Sequence, residues 1–110
     1  MGEGPASNLA DQARSLLHLF GNSSEAEITR HADDILSFFR KLHDSYRITK
    51  SQSPRFSGTT FIILEEVMYE LEARPEATIR SVDFREFITA VLYDISSGRV
   101  HVAARNSESI

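Results

Sequence analysis

The residues best able to do chemistry in this chain are its four histidines and the acids close to them. Glu27 and His31 stand four apart and Asp34 follows three later, so a helix would carry all three on one face. A carboxylate and an imidazole at that spacing can hold a divalent metal. A di-iron helical bundle, however, takes a Glu-x-x-His pair twice and two further glutamates. That set is absent here. The spacing therefore reads as exposed ion pairing worth about 0.2–0.5 kcal/mol. His18 borders an apolar stripe and reads as a boundary residue. Neither H-E-x-x-H nor a glycine-rich phosphate loop can be drawn, and no nucleophile elbow is present. Cysteine is missing, which removes thiolate zinc sites, cysteine nucleophiles and disulfides. No catalytic residue, metal ligand or cofactor is assigned, and the expectation is a protein that is not an enzyme.

A second cluster is basic. Arg40, Lys41, Arg47, Lys50 and Arg55 fall close together in sequence, with His43 among them. This pattern suits an anion: RNA, a phosphopeptide or an acidic partner. It also suits a helix C-terminus, where the dipole favours cations. The 12 basic and 16 acidic residues give a net charge of −4, which argues against nucleic acid binding over the whole surface. Tyr46 and Phe56 are the aromatics nearby, few for stacking single strands. Ser53-Pro54 has the form of a proline-directed phosphorylation site. A phosphate there is expected to lie among Arg47, Lys50 and Arg55 and to order the loop.

The elements that must position these residues follow from periodicity and punctuation. A first helix is expected from about Leu9 to Phe20, with Ser7 as its cap and Gly21 as its stop. A second begins at the capping box Ser24-Glu25-Ala26-Glu27 and carries an apolar stripe of Ile28, Ala32, Ile35, Phe39, Leu42 and Tyr46. It is expected to reach about Ile48. A polar loop over residues 49–55 follows. A third helix spans about Thr60 to Ala73 and ends before Pro75. A fourth runs from about Val82 to Ser96, capped by Ser81 and stopped by Ser97-Gly98. The expected class is all-α, a compact four-helix bundle of two packed hairpins. Residues 1–6 are expected to be flexible, 7–98 to form one helical domain, and 99–110 to be a loose tail, although Arg99 to Val102 alternates like a short strand.

No basic start followed by an apolar run marks a secretory signal. Met1-Gly2 lacks the Ser or Thr at position 6 that myristoylation wants, since Ala6 stands there. A cytoplasmic or nuclear protein without membrane association is expected.

The segment Ser81-Val82-Asp83-Phe84-Arg85-Glu86-Phe87 resembles the end of an EF-hand loop and the start of its exit helix, with Val82, Phe84, Glu86 and Phe87 matching that family's preferences. Counting back from Glu86 as the twelfth position puts Pro75, Ala77 and Ile79 where oxygen ligands belong and Arg80 where the turning glycine belongs. The resemblance implies a calcium-independent, EF-hand-like module used for packing or partner binding.

The third helix carries more oil than one buried stripe accounts for. Ile62, Ile63 and Tyr69 lie beyond the stripe of Phe61, Leu64, Met68 and Leu71, and Leu36 and Phe38 widen the stripe of the second helix. The expectation is a protein–protein interaction domain, an adaptor or regulatory module. It would hold a helical partner or a second copy of itself through Leu36, Phe38, Ile62, Ile63, Met68 and Tyr69. The rival reading is a nucleic-acid or phosphate binder using the basic segment.

Overall fold

The computed structural model of the chain describes residues 5–53 and 58–105. Among these, six helices and two strands follow one another: α1 Pro5–Asn22, α2 Glu25–Arg30, α3 Ala32–Ser45, β1 Tyr46–Ser51, α4 Gly58–Ala73, α5 Pro75–Arg80, α6 Val82–Ser96 and β2 Val100–Ala104. The chain is compact and mostly helical as expected, but six helices and a two-stranded sheet take the place of the four-helix bundle. Residues 1–4, 54–57 (Pro54, Arg55 and Phe56 of the expected loop among them) and 106–110 lie outside the described residues.

Local signals explain most boundaries. Ser24 Oγ accepts the Glu27 amide at 3.2 Å, closing one half of the expected box. Ser81 Oγ accepts the Phe84 amide at 3.3 Å and starts α6. α6 stops in a Schellman turn: the Gly98 amide meets the Ile95 carbonyl, the Arg99 amide meets the Asp94 carbonyl, and Gly98 has φ +81°. α1 departs from expectation at both ends. It begins at Pro5, so residues 5 and 6 are helical and Ser7 is interior rather than a cap. It continues through Gly21 to Asn22, whose Nδ2 donates to the His18 carbonyl at 2.9 Å and satisfies a last-turn acceptor.

The expected second helix is broken at His31, with φ −101° and ψ 17°. The apolar stripe survives the break, and Ile28, Ile35, Phe39 and Leu42 are buried together. The reason is that the Ile35 amide still reaches the His31 carbonyl at 3.0 Å, so the phase of the helix is nearly kept. α3 ends at Ser45 because Tyr46 turns extended (φ −127°, ψ 157°) and opens β1. β1 pairs antiparallel with β2, Ile48 beside Val102 and Ser51 beside Val100, with an irregularity between Ile48 and Lys50. Residues 100–104 of the expected loose tail are thus a strand whose Val100 and Val102 enter the core.

The element order repeats. A long helix, a six-residue helix, a second long helix and a strand occur once as α1–α2–α3–β1 and again as α4–α5–α6–β2. α1 packs on α6 as α4 packs on α3, α2 meets α5, and β1 meets β2. Each half contributes buried residues: Ala13 in α1 and Ile35, Phe39 and Leu42 in α3, then Leu64 in α4 and Phe84, Ile88 and Val91 in α6. Both halves feed one core, in which Phe38 and Phe39 meet edge to face at 5.0 Å.

Candidate functional site

A mostly apolar groove of about 490 Å³ lies between α4, α5 and α6. Its floor is apolar: Ile63 and Val67 from α4, Phe84 and Phe87 from α6. Its rim is acidic, with Glu66 and Glu70 on α4 and Asp83 on α6. One cation, Arg74, stands at the end of the groove, and its guanidinium is bound to the Glu70 carboxylate through Nε at 3.2 Å and through Nη2. That hydrogen bond and the opposite charge raise the Arg74 pKa further above its ordinary value. α5 closes the end because Pro75 sits at its first turn, where a missing amide costs nothing. The buried Thr78 hydroxyl then donates to the Glu70 carbonyl at 3.0 Å, tying α5 to the last turn of α4.

The other surplus residues of α4 point elsewhere. Ile62 is 59% exposed and Tyr69 70% exposed on the outer face of the helix, and Met68 is half-buried against the core. The other two residues of the expected docking set, Leu36 and Phe38, lie on α3. They are 8% and 4% exposed and belong to the chain's own core, because α3 is covered on more than one side.

A smaller groove of about 320 Å³ between α1 and α3 is lined by Gln12, Ser15, Leu16, Asp34, Ser37, Phe38 and Lys41. There Lys41 Nζ reaches Gln12 Oε1 at 3.4 Å and Phe38 is buried. In the larger α4–α6 groove Phe87 is only half-buried and Ile63 is exposed.

Of the basic segment, Arg55 lies outside the described residues, and two of its described side chains meet acids. Arg40 lies 3.6 Å from Glu72, and His43 stands between Asp44 (2.7 Å) and Glu65 (3.2 Å), so these side chains fasten α3 to acids, two of them on α4. The groove that holds Arg40 and Lys41 also holds Asp33, Asp44 and Glu72. Arg47 and Lys50 are exposed on β1. Ser53 is buried, and its hydroxyl donates to the Asp94 carboxylate at 2.7 Å. A phosphate at that position would meet the Asp94 carboxylate, while Arg55, one of the expected cations, lies outside the described residues.

Nor do the other sequence candidates converge. His31 Nδ1 is 3.3 Å from Asp34, but Glu27 faces Arg30 at 3.6 Å. Among the described residues no group of three or more His, Asp or Glu side chains is placed to hold a metal ion. The residues counted back from Glu86 form helix α5 instead of an open ligand loop. Among the described residues no helix is long and apolar enough to cross a membrane.

No protein-family model, curated protein or solved structure matches this chain. Its functional reading therefore rests on its own geometry.

Proposed function

We propose that this chain is a non-catalytic protein-interaction domain, and that the docking surface is the apolar groove between α4 and α6 with the adjoining outer face of α4. The observation that carries the reading is the exposure of Ile62, Ile63 and Tyr69 on a helix whose Leu64, Val67, Met68 and Leu71 are buried or half-buried. Exposed apolar side chains beside an open groove are what an amphipathic helix covers when it binds. Ile63 and Phe87 are the anchoring contacts, and Tyr69 extends the contact over the outer face.

The experiment is a selection of helical peptides from a diverse library, followed by binding measurements on the unaltered chain and on Ile63→Glu. The selected peptides bind the unaltered chain and lose at least about tenfold in affinity to the variant, as expected for a buried anchor. Peptides that bind both proteins equally would place docking elsewhere and reject the reading.

A further inference from the structure

We infer that the occupant of the α4–α6 groove is a cationic amphipathic helix from another protein, with lysine or arginine flanking its apolar stripe. The inference rests on the docking reading above and adds the charge of the partner. α4 carries Glu65, Glu66, Glu70 and Glu72 and no lysine or arginine. Glu66 and Glu70 stand along one side of the apolar floor and Asp83 on the other. Arg74, the cation at the groove's end, is already bound to Glu70. A helix seated on Ile63 and Phe87 therefore runs between carboxylates on both sides. Cations at its flanks would be attracted on approach and held at the rim, whereas acids would be repelled.

The same charge pattern argues against a second copy of this chain. A symmetric dimer seated on this groove would bring the acidic rim of one copy, Glu66 and Asp83, towards the same rim of the other.

The test uses two synthetic helical peptides about four turns long with the same leucine stripe, one flanked by lysines and one by glutamates. Fluorescence anisotropy gives their affinities for the unaltered chain, for Ile63→Glu and for Glu66→Lys. The lysine peptide binds at least about tenfold more tightly than the glutamate peptide at low salt, and the gap narrows at about 1 M salt, where charges are screened beyond about 3 Å. Ile63→Glu weakens the lysine peptide, and Glu66→Lys reduces the preference without loss of helical content. Equal affinities for the two peptides, both lost in Ile63→Glu, would overturn the charge inference and leave the docking surface standing. Binding of neither peptide would overturn both. A homodimer in sedimentation that Ile63→Glu dissociates would replace the foreign helix with a second copy.

Discussion

The hydroxyl of Ser53 donates a 2.7 Å hydrogen bond to the carboxylate of Asp94, a residue only 1% exposed, and so joins the end of β1 to α6. Arg99 approaches the same carboxylate at 3.6 Å, and the Gln52 amide meets the Arg99 carbonyl at 2.8 Å. The end of β1 and the start of β2, at one end of the sheet, are thus held around one buried acid. Ser53→Ala removes a donor from a buried charge and lowers stability by about 1–3 kcal/mol in urea unfolding. Ser53→Glu sets a second carboxylate against Asp94 and is more damaging than Ser53→Ala. Equal stability of all three proteins would show that the bond does not fasten the sheet.

Tyr46 gives the fold a pH limit on the alkaline side. Burial raises its phenol above the ordinary tyrosine value, because the charged phenolate is disfavoured in the folded chain. A raised native pKa means that the contribution is complete below the unfolded pKa, about 10, and is lost as pH climbs through the higher folded value. Chemical unfolding across pH 8 to about 11 shows stability falling at the alkaline end, and the fall is smaller in Tyr46→Phe. An identical decline in the variant would assign it to other groups.

Much of the core was legible before the structure, and for a physical reason. Ile28, Ile35, Phe39 and Leu42 recur at helical spacing, and that spacing follows from the geometry of the chain alone. The break at His31 left no trace in it, because the residues on each side keep nearly the same phase. Tyr46 and Ile48 continued the helical spacing and so read as helix, yet they form a strand. Their pairing partners, Ala104 and Val102, lie far along the chain, and no local pattern reports such a partner. Pro75 was legible as a stop for α4 but not as the first residue of α5, since six residues are too few to show a period. The surplus on α4 was visible in Ile62, Ile63 and Tyr69. That its groove is shared with α6, and that Leu36 and Phe38 are covered, depends on how the helices pack.

Surface and core apolar residues separate cleanly in stability. Phe39→Ala, at a fully buried position, costs about 3–5 kcal/mol. Ile62→Ser and Tyr69→Ser, at exposed positions, stay within about 0.5 kcal/mol of the unaltered chain. Thermal unfolding of the three variants checks this. A large loss on Ile62→Ser or Tyr69→Ser would make those residues part of the fold rather than of a surface awaiting a partner.

Gly98 is needed for its backbone angle and not for space. No atom lies within 4 Å of where a Cβ would stand, yet φ is +81°. Gly98→Ala therefore costs about 1–2 kcal/mol through conformation alone. Gly21→Ala, equally uncrowded but inside a helix, is stabilising by roughly 0.5–1 kcal/mol. Opposite signs for the two substitutions are the expected outcome, and matching signs would contradict it.

The most direct test of the docking surface is an NMR titration of the isotopically labelled chain with the lysine-flanked peptide. The account predicts shifts concentrated at Ile63, Val67, Phe84 and Phe87, with Gln12 and Leu16 in the groove between α1 and α3 unmoved. Shifts centred on Arg40, Arg47 and Lys50, or spread evenly over the chain, would contradict it.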